Sequence, residues 1–182
     1  MVRDDFISSG ILEKANGAMQ TIFKMFKIDI SESKYERKQM SNMKPILTPY
    51  LNFNGNTAEA MKFYQSILGG ELIMQTFAEA GMAKTPEEGN RIVHADLKNE
   101  TLSFMASDGH PSQQVRFGDN IHMSISGTDQ NKLTEFFNKL AQGGKADMPL
   151  AKQFWGDTFG MLTDKFGVHW MINITSQSAP AR

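Results

Sequence analysis

The sequence predicts an α+β fold built from two tandem βαβββ modules. Apolar side chains recur at i, i+3, i+4, i+7 and i+8 in residues 56–70, and the same pattern returns in residues 128–144. This spacing forms one face of an α-helix. An alternating, strand-like stretch precedes each helix, and further strand-like runs follow it. The two copies lie too far apart in sequence for a solenoid repeat, and their separation is typical of a duplicated supersecondary module. We therefore expect the two copies to close around a shared interior.

The composition excludes several classes of function. The chain has 182 residues, enough for one domain with an extension, and its 40% hydrophobic and 21% charged content is ordinary for a globular protein. A net charge of −1 gives no electrostatic reason to bind nucleic acid or an anionic membrane. The absence of cysteine rules out disulfides, thiol nucleophiles and cysteine metal sites. No apolar stretch resembles a membrane span or a signal peptide, so we expect a cytoplasmic protein with neither nucleic acid nor membrane as a partner.

The first module covers about residues 44–108. Its first strand places Tyr50 and Asn52 on a polar face. The helix that follows has Asn56 and Glu59 at the spacing of a capping box, and a glycine pair ends it. Three strand-like runs complete the module, at residues 71–78, 91–97 and 101–107.

The second module covers about residues 119–174 and repeats this order. Residues 120–125 alternate between apolar and hydrogen-bonding side chains, Asp129 is the expected N-cap of the helix, and Gly143 and Gly144 end it. Three strand-like runs follow, at residues 145–154, 158–163 and 168–174.

Three segments outside these elements are predicted to be irregular. Residues 80–90 have the glycine, proline and charge content of an exposed loop. We also expect His110 to be exposed, in the connector between the modules. Residues 176–182 are predicted to form a flexible tail.

Residues 1–42 form a separate N-terminal extension. Apolar side chains spaced from Ile7 to Phe26 predict an amphipathic helix, and a polar, charged linker follows it. One interpretation is an arm that bridges a dimer or binds a partner. The other, which we favour, is a segment that packs on the domain or is not made natively, since Met40 and Met43 can each serve as a start.

Two segments carry a resemblance to a known family: PYLNFNGNTAEAMKFYQSILGGEL at residues 49–72 and FWGDTFGMLTDKFGVHWMINI at residues 154–174. With the duplicated βαβββ order, residues 43–175 resemble the vicinal-oxygen-chelate superfamily of glyoxalases, bleomycin-resistance proteins and dioxygenases, specifically its PhnB-like branch. The resemblance implies a glyoxalase/bleomycin-resistance-like fold, in which two half-barrels enclose a cavity, and a homodimer. Members of this branch are sometimes called 3-demethylubiquinone methyltransferase-like, but this chain has no glycine-rich turn suited to S-adenosylmethionine.

The same resemblance places the four metal-ligand positions of the superfamily on neutral residues. These are Thr48, Met105, Asn120 and Met171. Neutral hydroxyl, amide and thioether groups are poor substitutes for the histidine and carboxylate ligands of a catalytic divalent metal. We therefore expect neither the superfamily's metal site nor any cofactor.

The candidate ligand-binding residues all lie on strands or at the expected mouth of the cavity. They are Tyr50, Asn52, His94, Met105, His122, Trp155, Asp157, His169 and Met171. The three histidines form either one acid/base or metal-binding cluster or three separate hydrogen-bonded side chains. Met105 and Met171 either floor a ligand pocket or fill the core. Trp155 and Asp157 either stack on and anchor a ligand or shape a turn.

Two functions remain open on this sequence. The first is a binding protein that holds or sequesters a small organic ligand in the half-barrel cavity. The alternative is an enzyme with glyoxalase-like or dioxygenase-like chemistry, either metal-independent or with a relocated histidine site. A third interpretation, a pure assembly module with a closed cavity, is compatible with the fold.

No catalytic residue is assigned, because phosphate-binding, dinucleotide-binding and nucleophile-elbow motifs are absent from the sequence. Trp170 and the turn at residues 164–167 are interpreted as structural.

Overall fold

A computed structural model describes residues 46–109 and 114–176. The predicted N-terminal helix, His110 and residues 177–182 of the predicted tail lie outside the described residues. The described helices and strands all belong to one compact unit, which begins at Thr48.

Each module contains the predicted βαβββ order, so the α+β fold class is confirmed. The first module consists of β1 (Tyr50–Phe53), α1 (Thr57–Leu68), β2 (Glu71–Thr76), α2 (Pro86–Gly89), β3 (Ile92–Lys98) and β4 (Ser103–Asp108). The second consists of β5 (Met123–Gly127), α3 (Gln130–Leu140), β6 (Lys145–Lys152), β7 (Thr158–Thr163) and β8 (His169–Ile174). The short helix α2 lies inside the predicted loop at residues 80–90, where Thr85 caps it by accepting the N–H of Glu88. The described helices are all too short or too polar to span a bilayer.

The two modules have the same sheet topology. The strand order is β1-β4-β3-β2 in the first sheet and β5-β8-β7-β6 in the second. The pairs β1/β4 and β5/β8 are parallel, and the remaining pairs are antiparallel. One face of each sheet packs on its helix, which leaves a second face turned away from the helices. We call this second surface the open face of each sheet.

A single apolar core lies on the helix side and includes residues of both modules. Tyr64 of α1 is at its centre, with its ring centroid 5.8 Å from that of Phe104, 5.9 Å from that of Phe166 and 5.5 Å from that of Trp170. Aromatic rings at these separations favour edge-to-face and tilted contacts. Trp170 is 1% exposed, as expected for a structural residue.

A buried carboxylate joins the two modules inside this core. Asp164, in the turn between β7 and β8, is 3% exposed and accepts four hydrogen bonds. Tyr64 donates its O–H over 2.8 Å, Trp170 donates its indole N–H over 2.8 Å, and the backbone N–H groups of Phe166 and Val168 lie at 2.8 and 3.0 Å. Burial, reinforced by the charge of Asp164, raises the pKa of the Tyr64 phenol, so this group remains a donor. The turn at residues 164–167 is therefore structural, as the sequence predicted.

The start of α1 differs from the sequence prediction. Asn56 makes no side-chain cap, so the predicted capping box with Glu59 is wrong. The buried carboxylate of Asp108, at the end of β4, instead accepts the N–H groups of Gly55 and Thr57 at 2.9 and 3.1 Å. A carboxylate that is distant in sequence can accept the free N–H groups at a helix start as well as a local side chain can. Its negative charge also complements the helix dipole. In the second module Asp129 caps α3 as predicted, accepting the N–H of Lys132 at 3.0 Å.

The two glycine pairs bring the chain against the next hairpin, but only the first pair ends its helix. Gly69 is the C-cap of α1, whereas α3 ends at Leu140 with Ala141 as its C-cap, so the predicted stop at Gly143 and Gly144 is wrong. Gly69 and Gly143 have φ values of 71° and 75°, in the left-handed region that favours glycine. A Cβ on Gly70 would lie 2.7 Å from the carbonyl oxygen of Lys98, and one on Gly144 would clash with the carbonyl oxygen of Thr163. The repeated glycines therefore allow the same close backbone approach in both modules.

We predict that Tyr64→Phe lowers the free energy of unfolding by about 2 kcal/mol, because Asp164 then loses one donor while it remains buried. Chemical denaturation measures this change. Tyr50→Phe is the matched control: Tyr50 is 43% exposed, and we expect its loss of the hydroxyl to change stability by less than about 0.5 kcal/mol. Equal effects of the two substitutions would contradict the central role given to Asp164.

Candidate functional site

The open face of the first sheet carries several predicted site residues. The hydroxyl of Tyr50 lies 3.3 Å from Nδ1 of His94, and their ring centroids are 6.0 Å apart. Ser107 donates its hydroxyl to the amide oxygen of Asn52 over 3.2 Å. Met105 lies directly beside Tyr50 in the parallel register of β1 and β4. Four of the candidate residues thus share one sheet face.

The open face of the second sheet carries a connected row of polar side chains. Lys145 forms an ion pair with Asp147 at 2.8 Å, and Asp147 accepts the hydroxyl of Thr163 over 2.6 Å. The same Thr163 oxygen lies 2.9 Å from Nδ1 of His169. We call these four side chains the His169 relay. Hydrogen bonds from Lys145 and Thr163 lower the pKa of Asp147 below its usual value.

The structure brings two of the three candidate histidines together. The ring centroids of His122 and His169 are 5.1 Å apart, with the ring planes at 41°. His94 contacts Tyr50 on the other sheet instead. Spacing alone did not distinguish these arrangements, because convergence depends on how β5 and β8 pair.

A cavity of about 420 Å³ opens beside β1. Tyr50, Asn52 and His169, from both open faces, line it. The remaining lining residues come from β1 and the residue before it, from the connector and the first residue of β5, and from the turn before β8. They are Pro49, Leu51, Phe53, Val115, Arg116, Phe117, Gly118, Asn120, Ile121, Met123, Gly167 and Val168.

Sequence reasoning missed the connector as part of this cavity. Val115, Arg116 and Phe117 all line it, although the sequence predicts only a link between the modules here. Asn54 clamps the connector by accepting the N–H of Val115 at 2.8 Å and donating to its carbonyl oxygen at 3.1 Å. The available signal was the alternation of apolar Val115 and Phe117 around Arg116 in an otherwise polar stretch.

The two residues predicted at the mouth of the cavity, Trp155 and Asp157, are not among its lining residues. Trp155 packs against Phe154 and Phe159, with ring centroids 4.8 and 6.0 Å away. Asp157 accepts the side-chain N–H of Asn173 at 2.9 Å and the backbone N–H of Ser176 at 3.2 Å. The other candidates outside the lining are His94, Met105, His122 and Met171.

The strand registers change one of the assigned metal positions. Tyr50 lies opposite Met105 in the first sheet, and Ser124 lies opposite Met171 in the second. If the two methionines correspond, the counterpart of Thr48 is His122 rather than Asn120. Even so, no group of three or more histidine, cysteine, aspartate or glutamate side chains within the described ranges is arranged to hold a metal.

The turn between β1 and α1 does not fit S-adenosylmethionine. In nucleotide-binding folds the N–H groups of such a strand-to-helix turn contact the cofactor. Here the N–H groups of Gly55 and Thr57, and the Thr57 hydroxyl, all bind the protein's own Asp108.

Comparison with known proteins identifies relatives over the same region. The model of a family described as 3-demethylubiquinone-9 3-methyltransferase matches residues 45–173. Protein YjdN from Escherichia coli (strain K12) is 34% identical over 145 residues, which cover 72% of this chain and 96% of YjdN.

Two solved structures are also similar. Protein PA1353 from Pseudomonas aeruginosa is 38% identical, with a TM-score of 0.64, over 72% of this chain and 98% of that one. The PhnB protein from Bacillus cereus is 26% identical, with a TM-score of 0.62, over 72% and 100% of the two chains. A glyoxalase/bleomycin-resistance/dioxygenase domain from a Frankia species shares the fold alone, at 15% identity and a TM-score of 0.53 over 75% of this chain and 95% of that domain.

We predict that Lys145→Ala raises the pKa of Asp147 towards its usual value, because the ammonium no longer stabilises the carboxylate. The folded-state pKa of Asp147 is depressed, so its stabilising contribution is present above the unfolded-state pKa and is lost as the pH falls through the folded-state value. An NMR titration of the Asp147 carboxyl carbon measures the shift. Lys152→Ala, on the same strand, is the control and should leave the titration unchanged.

Proposed function

Because the chain belongs to the PhnB-like, 3-demethylubiquinone-9 3-methyltransferase family and has the vicinal-oxygen-chelate fold, we propose that it binds a small organic ligand in the cavity beside β1. The ligand is neutral or anionic, and it is held without the superfamily's metal. The observation that carries the proposal is a cavity of about 420 Å³ lined by residues from both modules.

The size and the lining of the cavity support a small organic ligand. Ligand sites are typically concave, mostly apolar and supplied with a few polar groups that fix orientation. Here Phe117, Ile121 and Val168 provide apolar surface, while Asn52 and His169 provide hydrogen-bonding groups. The volume lies within the range of roughly 300–1,000 Å³ that small-molecule sites occupy.

The charge of the lining supports a neutral or anionic ligand. Arg116 is the one acidic or basic side chain, histidine aside, among the lining residues. No ion-pair partner for it occurs in the part of the chain that the structure describes. A cation without a counter-charge at the edge of a cavity attracts anions and repels cationic ligands.

The side chains at the superfamily's ligand positions support binding without a metal. Thr48, Met105 and Met171 offer a hydroxyl and two thioethers, which are poor ligands for a catalytic divalent ion. If Met105 and Met171 correspond, His122 is the one strong donor among these positions.

We predict that a ligand found in a screen of small metabolites and antibiotics raises the melting temperature of the protein, and that Ile121→Trp abolishes the rise. A ligand at 100 times its dissociation constant stabilises the folded state by about 2.7 kcal/mol. Ile121 lines the cavity and is 74% exposed, so a larger side chain can fill the cavity with little cost to the core. Thermal unfolding with and without the ligand measures both effects.

Ile73→Trp is the matched control, because Ile73 is also an exposed isoleucine but does not line the cavity. We expect its ligand response to equal that of the unmodified protein. A panel with no stabilising compound would contradict the proposed function, and an undiminished response in Ile121→Trp would place the ligand elsewhere.

The alternative of an enzyme with a relocated metal has one specific observation in its favour, the 5.1 Å approach of His122 and His169. Metal analysis of the purified protein separates the two functions. The binding proposal predicts less than stoichiometric zinc, nickel, manganese or iron. Stoichiometric metal that disappears in a double His122→Ala, His169→Ala variant would favour the enzyme.

A further inference from the structure

We propose that the His169 relay fixes one tautomer of His169, with the proton on Nδ1, so that Nε2 is the hydrogen-bond acceptor of the cavity. The inference deepens the proposed function and rests on it, since it assigns the ligand a donor group, O–H or N–H, at this end of the cavity. Lys145, Asp147 and Thr163 then act as positioning residues rather than as ligand contacts.

The direction of each hydrogen bond in the relay follows from which groups carry a proton to donate. The lysine ammonium can only donate, and an ionised carboxylate can only accept. Asp147 therefore accepts from Lys145 at 2.8 Å and from the Thr163 hydroxyl at 2.6 Å. Its lowered pKa keeps the carboxylate ionised at neutral pH.

The threonine hydroxyl has a single proton, and Asp147 accepts it. The Thr163 oxygen can therefore only accept from Nδ1 of His169, which lies 2.9 Å away. A hydrogen bond at one ring nitrogen decides which nitrogen of a neutral imidazole is protonated. In His169 this places the proton on Nδ1 and leaves a lone pair on Nε2.

The second ring nitrogen of His169 is uncommitted. The residue is half-buried and lines the cavity. Within residues 46–109 and 114–176, Nε2 has no hydrogen-bond partner. An unpaired acceptor in a partly buried site favours a ligand that can donate to it.

The ionisable groups around His169 come from several elements. His122 lies before β5 with its ring centroid 5.1 Å away, and Asp147 and Lys145 of β6 reach it through Thr163. Tyr50 and Arg116 line the same cavity. Asp147 is the one acidic side chain among these groups, and its hydrogen bonds already fix the direction of the relay.

Nitrogen NMR of the ligand-free, full-length protein tests the relay directly. At about pH 8, where most histidines are neutral, we expect His169 to show a protonated, pyrrole-type Nδ1 and an unprotonated, pyridine-type Nε2. Asp147→Ala frees the Thr163 hydroxyl to donate to Nδ1, and Thr163→Val removes the acceptor of its proton. Both variants should move the proton to Nε2.

Two further variants control this experiment. Thr163→Ser keeps the hydroxyl and should retain the tautomer of the unmodified protein. Thr158→Val makes the same substitution as Thr163→Val on the opposite face of β7 and should also change nothing. A proton on Nε2 in the unmodified protein, or an unchanged tautomer in Asp147→Ala, would overturn the proposal. Asp147 is exposed enough for its variant to fold even if Thr163→Val does not.

Acylation by diethylpyrocarbonate gives an independent measurement, because this reagent attacks an unprotonated imidazole nitrogen. Peptide mass spectrometry should show His169 of the unmodified protein reacting at least about threefold faster than His169 in Asp147→Ala, where Nε2 carries the proton. Equal rates would overturn the assignment of Nε2 as acceptor. Both measurements use ligand-free protein, so a failed ligand screen and a failed relay give different results.

Discussion

The arrangement of the two modules depends on the hydrogen bonds that the carboxylate of Asp164 accepts. A buried carboxylate is unfavourable unless donors surround it, and these donors come from both modules. Tyr64 belongs to α1, whereas Trp170 and the backbone of the turn belong to the second module. A rotation of one module against the other would separate the Tyr64 hydroxyl from the carboxylate while both stayed buried. The cost of an unsatisfied pair therefore favours a single orientation, which apolar packing alone specifies less sharply.

That orientation also determines where the cavity forms. The turn that contains Asp164 continues into Phe166, whose ring packs edge-on against Phe53 of β1 with centroids 6.4 Å apart. The next residue, Gly167, and Phe53 itself both line the cavity. Asn54 then holds the connector over the same region through two hydrogen bonds to Val115. The cavity is therefore bordered by neighbours of the core rather than by independent loops, and a ligand there would contact backbone that the core already orders.

The sequence predicts the local elements well because their signals are local. Apolar periodicity, the glycine pairs and the Asp129 cap each depend on residues within a few positions of one another. The errors involve partners that are distant in sequence. Asp108 rather than Asn56 satisfies the start of α1, and the two lie in separate elements. The approach of His122 to His169, which the sequence analysis leaves open, also depends on a distant partner. It requires the pairing of β5 with β8, which no short motif encodes.

The two open faces have diverged although their modules share one topology. In the first, Tyr50 contacts His94; in the second, the position opposite Met171 is the small residue Ser124. Polar groups in the first sheet therefore pair with each other, whereas those of the second form a directed row that ends at His169. Duplication explains the common backbone, but it does not explain this asymmetry. A cavity with Tyr50 on one side and an oriented imidazole on the other can distinguish the two ends of a bound molecule, which a symmetric pair of half-sites cannot.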